Sequence, residues 1–301
     1  MRSKPFSFLH VATLRHHILP VLTILLAILV IWHIAVVYLN MPFARDQAAR
    51  AGQRPSFSEL LPLTFTQERP VLPAPHQIIA ELWDTTVNKA ITSKRSLIYH
   101  AGITLSATLL GFAIGTALGI LLAVAIVHNR AMNRSVMPWI IASQTIPIIA
   151  VAPMIIVVLN SIGISGLLPK ALISTYLSFF PIVVGMVKGL RSPESIQLDL
   201  MHTYYAAPSQ IFWKLQWPSA LPYLFTSLKI AIAISLVGAI VGELPTGAVA
   251  GLGARLLSGS YYGQTVQIWA ALFMAAGVAA ILVSIVGIAH TLVLRRMGER
   301  P

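Results

Sequence analysis

The sequence predicts an all-α, polytopic membrane protein with six transmembrane helices. Three observations carry this expectation. Of 301 residues, 56% are hydrophobic and only 10% charged, with a mean hydropathy of +0.79; a soluble domain carries roughly a quarter charged residues. Six apolar runs are long enough, at about 1.5 Å per helical residue, to cross a hydrocarbon core about 30 Å thick. Lysine and arginine concentrate in alternate connections, the pattern that holds cytoplasmic loops inside. That pattern accounts for the net charge of +12. No basic helix with interleaved aromatics occurs, so nucleic acid is not an expected partner. Cysteine is absent, which excludes disulfides and thiolate metal sites.

Residues 1–17, with Arg2, Lys4, Arg15 and a histidine pair, are expected to form a cytoplasmic tail. The first span is expected over 18–40, since Ile18 to Leu39 carries no charged residue and reaches about 33 Å. A secretory signal would have a shorter apolar region followed by small residues. This run ends in Val-Val-Tyr-Leu-Asn, so a retained helix is expected. Residues 41–97, dotted with Pro55, Pro62, Pro70, Pro73 and Pro75, are expected as an extracytoplasmic loop. Within it, Pro75 to Ala90 places Ile78, Ile79, Leu82, Trp83 and Val87 at helical spacing opposite a polar face. Such an amphipathic helix lies along the outer membrane surface or packs against the bundle.

Residues 98–294 hold the other five spans: Ala101 to Val127, Met137 to Leu159, Gly166 to Val187, Ala220 to Gly242 and Val266 to Leu294. Arg130 and Arg134 follow span two; Lys188, Arg191 and Lys214 follow span four; Arg295, Arg296 and Arg300 follow span six. The opposite short loops hold only Arg255. Both termini, including the tail 295–301, and the segment 191–218 are therefore expected in the cytoplasm. The 41–97 loop carries seven basic residues outside, which long loops tolerate.

Gly111, Gly115 and Gly119 form a small-xxx-small ladder in span two, where another helix can approach closely, within this chain or in a second one. Gly238 and Gly242 repeat the spacing in span five. Span three carries Pro147 and Pro153 near Gln144 and Thr145. Each proline frees a backbone carbonyl, so this helix either lines a wet path or is simply kinked. Ionisable groups inside spans are costly. Lys229 lies about 13 Å along span five. Lys170, near the outer end of span four, is expected to snorkel. Glu243 ends span five, where it faces a translocation path, a neighbouring subunit or lipid headgroups. So few buried ionisable groups argue against a proton- or sodium-driven carrier.

No phosphate-cradling loop, HExxH, G-x-S-x-G or catalytic carboxylate pair occurs, so no catalytic or metal site is expected and the chain is not expected to be an enzyme. The nine histidines are scattered, and His33 and His290 read as helix-packing residues. Between spans four and five, Arg191 to Tyr223 is the only sizeable polar interlude of the second half. Ser192-Pro193-Glu194 reads as a helix start. Pro208 reads as a second start, with a break near Tyr205 to Ala207. Pro218 and Pro222 mark the entry to the next apolar run. Two polar helices held between spans present a surface to a soluble partner.

This segment resembles the cytoplasmic EAA coupling loop of bacterial binding-protein-dependent ABC transporter permeases. The acid of that pattern falls on Asp199, its alanines on Leu200 and Met201, its glycine on Tyr205, and its Ile-x-Leu-Pro on Leu215 to Pro218. The acid, the aliphatic and the proline fit, while the alanines and the glycine do not. Glycine would let the chain turn cheaply and tyrosine would not, so the break is expected at Ala207-Pro208. The flanks, Gln210-Ile211-Phe212, Lys214 and Pro218 to Pro222, are typical. Leu257 to Gln264 is superficially similar to the ATPase signature of this transporter class but lacks its doubled glycine. The resemblance extends over residues 75–296. Within the family, Pro75 to Trp83, Gln144 to Pro147, Ala152-Pro153 and Gly238 to Glu243 are similar to permeases for nitrate, sulfonates, taurine and pyrimidine-type thiamine precursors. Gly242 to Gly247 and Tyr261 to Trp269 look most like the pyrimidine-associated permeases.

The resemblance implies a subunit of an ATP-driven importer in the bacterial inner membrane, working by alternating access. Its implied partners are cytoplasmic ABC ATPase subunits, which hold the ATP and magnesium, an extracytoplasmic solute-binding protein, and a second permease subunit, identical or not. Glu194, Asp199, Leu200, Met201, Tyr205, Pro208, Lys214, Leu215 and Pro218 would form the ATPase-coupling loop. Gln144, Thr145, Pro147, Pro153, Lys229 and Glu243 would line the path. The implied solute is a small polar organic molecule or anion. An ATP-independent carrier or channel is the rival, and it would need no polar coupling loop.

Overall fold

The computed structural model describes residues 8–52, 56–245 and 250–298, with side chains from Leu19 onward. Arg2, Lys4, Pro55, Thr246, Gly247 and Arg300 lie outside the described residues. Within them every regular element is helical. The chain divides into a smaller unit, residues 1–81 with 259–270, and a larger one, 82–258 with 271–301.

The smaller unit is built on α1 (Phe8–Arg50). Residues 19–31 of α1 are exposed on every face. The helix runs past its apolar stretch because Met41, Ala44 and Ala48 recur at helical spacing and pack on Leu60 of α2 (Phe57–Leu63). At the end of the apolar stretch, Asn40 is fully buried. Its amide donates to the carbonyls of Thr64 (3.0 Å) and Leu72 (2.9 Å), and its oxygen accepts from the Leu72 N–H (3.1 Å). One side chain thus satisfies three backbone groups of a proline-rich loop that has no ladder of its own. Trp32 donates to the Pro73 carbonyl at 3.0 Å and packs its ring 4.9 Å from Trp269. The expected helix from Pro75 to Ala90 stops earlier. It is α3 (Pro75–Trp83) followed by a π-turn over Asp84–Asn88, and of its apolar positions Ile78 is buried while Ile79, Trp83 and Val87 remain exposed.

The larger unit is organised around three helices, α4 (Leu97–His128), α7 (Leu167–Leu190) and α10 (Trp217–Glu243), with α7 between the other two. The glycine ladder faces α7 within the same chain. A Cβ at Gly111, Gly115 or Gly119 would come within 3.0 Å of Ser174, Ser178 or Ile182 respectively. From the other side, a Cβ at Gly238 would stand 2.7 Å from the Ser174 Cα. The close approach lets hydroxyls bond across helices. Thr175 donates to the Gly111 carbonyl at 3.1 Å, Ser174 to the Ser235 carbonyl, and Ser235 to the Thr108 carbonyl at 3.0 Å.

The expected third span, Met137 to Leu159, is not one helix. It is α5 (Arg130–Ser143) and α6 (Ile148–Ser161), bent by 100° at the intervening break. Each half is about 21 Å long, short of a hydrocarbon core. Pro147 is the cause, since it has no N–H and drives Ile146 out of the helical region. The Ser143 carbonyl freed at the break accepts from the Tyr176 hydroxyl of α7. Pro153 sits inside α6 without interrupting it. Between α7 and α10 lie α8 (Ser195–Thr203) and α9 (Pro208–Ile211), and α11 (Leu252–Tyr261) precedes α12 (Thr265–Arg296). Among the described residues five helices are long and apolar enough to cross a membrane, and six spans result if the bent pair counts as one.

Gly111→Ala forces α4 away from α7 and should cost about 1–3 kcal/mol of stability. Gly102→Ala, in the same helix with open space around it, should be neutral or mildly stabilising. Denaturant unfolding of the two purified variants compares them, and equal effects would show that the close approach contributes nothing.

Candidate functional site

Two polar constructions stand out. The first is the hairpin between α7 and α10. Its expected start at Ser192 is displaced by two residues. Glu194 is the N-cap of α8, and its N–H donates to the Gln197 side chain at 3.0 Å. Ser192 instead donates to the Gly189 carbonyl at 2.7 Å, finishing α7. The turn between α8 and α9 also departs from expectation. Tyr205 itself takes the left-handed conformation, with φ of 50°. The Ala206 N–H bonds the Met201 carbonyl at 3.0 Å and the Tyr205 N–H that of His202 at 2.9 Å, which is a Schellman ending. Tyrosine is tolerated there because its ring, 96% exposed, meets nothing that would add to the backbone strain. Ala207-Pro208 then opens α9, with the Ala207 N–H donating to the Gln210 side chain at 2.9 Å. The two helices are separate, and the reversal is made at Tyr205 rather than at Pro208.

The base of the hairpin is anchored and its tip is not. Ile211 is buried, Phe212 packs edge-on to His128 at the end of α4, and Arg191 donates to Asn133 of α5 at 3.1 Å. A π-turn over Phe212–Gln216 leads into α10 and accommodates Pro218, which has no N–H to give. By contrast α8 buries no residue. Ile196 (71% exposed), Leu200 (57%) and Tyr204 (77%) recur every four residues on it, an apolar stripe beside the exposed Asp199. Met201 and Leu215 are half-buried, while Pro208 and Lys214 are exposed. Sequence reasoning weighed the acid and passed over the stripe, although its spacing was visible.

The second construction centres on Glu243, which is 0% exposed, so it does not meet headgroups. Both carboxylate oxygens accept from the Thr104 hydroxyl at 3.0 Å, and one accepts from the Gly253 N–H at 2.8 Å. Lys170 does not snorkel. It is buried, with its Nζ 3.8 Å from the carboxylate and 3.5 Å from the Ala250 carbonyl. Thr104 also accepts from the Leu252 N–H at 2.8 Å, and His100 Nδ1 accepts from the Gly251 N–H at 2.9 Å. An N–H donor on Nδ1 requires that the His100 proton sit on Nε2, which donates to the Lys94 carbonyl at 2.9 Å. Helices α4, α7 and α10 thus converge on the backbone of residues 250–253, and Gly251 and Gly253 leave the space that the carboxylate fills. The other residues expected along a path lie elsewhere. Gln144, Thr145 and Pro147 form the tip of the α5–α6 bend, and Lys229 faces Gly287 of α12. Among the described residues no group of acids and histidines has the makings of a metal site.

Residues 115–299 match the family model of the binding-protein-dependent transport system inner membrane component. The chain belongs to this family of transport permeases. The permease is 36% identical over 183 residues to the formylaminopyrimidine transport permease protein ThiX of Halalkalibacterium halodurans, covering 61% of this chain and 68% of that one. It is 30% identical over 225 residues to the riboflavin transport system permease protein RibX of Chloroflexus aurantiacus, covering 75% and 80%. An inward-facing structure of the MetNI methionine ABC transporter matches its fold with a TM-score of 0.50 at 21% identity, over 74% of this chain and 96% of that chain. The family is one of inner-membrane transport components rather than enzymes. The polar hairpin lies within the matched region of the permease, as do Lys170, Glu243 and residues 250–253, while His100 and Thr104 precede it.

Two substitutions test these constructions. Tyr205→Gly should relieve the left-handed strain and stabilise the hairpin by about 1 kcal/mol, read as slower amide exchange in the last turn of α8. Thr104→Val leaves the Leu252 N–H without its acceptor and should cost about 1–3 kcal/mol, with faster exchange in peptides covering residues 250–258. Unchanged exchange there would show that the cluster does not hold the turn.

Proposed function

We propose that this permease is the membrane-spanning subunit of an ATP-driven ABC importer. In this reading two copies, or this chain and a related one, enclose the path, and an extracytoplasmic binding protein delivers the solute. The termini and the α8–α9 hairpin face the cytoplasm, as the basic connections require. ATP and magnesium bind on the ATPase subunits. The observation that carries the reading is the surface of α8. A helix with no buried residue and an apolar stripe of Ile196, Leu200 and Tyr204 is held at the end of rigidly anchored spans. Exposed apolar stripes on polar elements mark protein contacts. When nucleotide draws the ATPase pair together, α8 is the lever that moves with it. The base contacts of Phe212 and Arg191 pass that motion to α4 and α5. The solute is a small polar organic molecule or anion, of the pyrimidine-precursor or the sulfonate and nitrate kind. The relationship to ThiX favours the former.

Leu200→Glu places a charge in the centre of the stripe and should weaken ATPase association by about thirtyfold or more. Asp199→Arg, a reversal at its edge, should weaken it less and in a salt-dependent way. Both variants should still insert in the membrane. Co-purification of ATPase at wild-type levels with Leu200→Glu would remove the main support for the reading. Uptake by vesicles holding this chain alone would replace it with an ATP-independent carrier.

A further inference from the structure

We infer that Lys229 and His290 form an oxyanion-binding site at mid-depth in the membrane, through which an anionic solute passes. Lys229 stands near the middle of α10, about 18 Å from Trp217 and about 21 Å from Glu243 along the axis. An ammonium at that depth is costly and calls for a partner or water. No carboxylate supplies one. Lys229 has no ion pair among the described residues, where the only two pairs are Lys89–Asp84 and Lys170–Glu243. The chain has nine acids, and Glu243 is the sole acid between residues 98 and 294 outside the hairpin.

What Lys229 does meet is basic. Its Cε approaches to 3.8 Å of the position a Cβ would take on Gly287, and His290 lies one turn further along the same face of α12, within Coulombic reach. The His290 ring is stacked on Phe225, with centroids 5.3 Å apart and planes 9° apart, one turn before Lys229 on α10. This stacking fixes the ring. Its Nε2 is buried and has no hydrogen-bond partner. With the proton on Nε2, an N–H that has no hydrogen-bond partner stands within Coulombic reach of an ammonium that has no ion pair among the described residues. A carboxylate, sulfonate or phosphate group supplies the missing acceptors and charge. Gly287, which has no side chain, lets the Lys229 stem lie against α12. A lipid phosphate sits at the membrane surface, too far along α10 for a four-methylene side chain to reach. The occupant therefore arrives from water.

The inference rests on the transport reading for its solute, and it selects the anionic class from the alternatives above, against the preference that the relationship to ThiX gives. Inorganic sulfate is the probe, titrated against chloride at matched ionic strength, with the full chain in phosphatidylcholine nanodiscs. Thermal unfolding of wild type should rise with sulfate and saturate. Lys229→Met, which removes a charge from a span and so should insert at least as well, should lose the saturable part or weaken apparent affinity about tenfold or more. His290→Leu should weaken it to a smaller degree, and Lys229→Arg should retain it. Identical sulfate dependence in wild type and Lys229→Met would overturn the site. Anionic phospholipid that co-purifies with wild type and not with Lys229→Met, with no sulfate response, would also overturn it and give the pair to a lipid. No ATPase is needed, so a negative result here leaves the assembly reading standing, and failed assembly leaves this site standing.

Discussion

The larger unit depends on the distance at which α7 is held between α4 and α10. Lipid offers no hydrophobic gain for bringing apolar helices together, so packing and hydrogen bonds must do it. Glycines on the facing surfaces bring backbones close enough for Ser174, Thr175 and Ser235 to reach carbonyls on neighbouring helices. Without that approach the same hydroxyls would be orphaned in a low-dielectric medium. Because the hairpin leaves α7 and enters α10, its placement is fixed by the same contact.

Two features of the hairpin then divide the work. Its base is stiff, tied by Phe212 and Arg191 to the ends of α4 and α5. Its turn carries strain in Tyr205, a residue that pays to sit where glycine would sit freely. At the other end of α10, Glu243 accepts from the Gly253 N–H and is itself met by Thr104 of α4 and Lys170 of α7. Helix α10 thus carries a lever at one end and a clasp at the other, with the unpaired Lys229 between them.

How much of this was legible depended on the range of the interaction. Run lengths and basic connections are local, and the spans followed from them. The glycine spacing showed a close contact, and only the folded chain shows that its partner is α7. Pro147 announced the break that it causes, but the 100° direction that α6 takes after it depends on packing against α7, which no local pattern shows. Tyr205 was misjudged because propensity argues against a left-handed tyrosine, and the Schellman bonds outweigh it. The partners of Glu243 were hidden for a plainer reason: Thr104 is 139 residues away in sequence, and no pattern in a single chain links them. Lys170 was read as snorkelling on the same ground.

Asn40 has a consequence for the order of events at synthesis. Its amide needs the carbonyls of Thr64 and Leu72, the second of them 32 residues further along the chain. At about 5–20 residues per second, roughly two to six seconds pass after Asn40 is made before Leu72 exists. For that interval the first helix has a polar end with nothing to hold. The loop that follows is then less a tether between spans than the piece that completes the first one, and a chain stopped before Leu72 would carry an unfinished anchor.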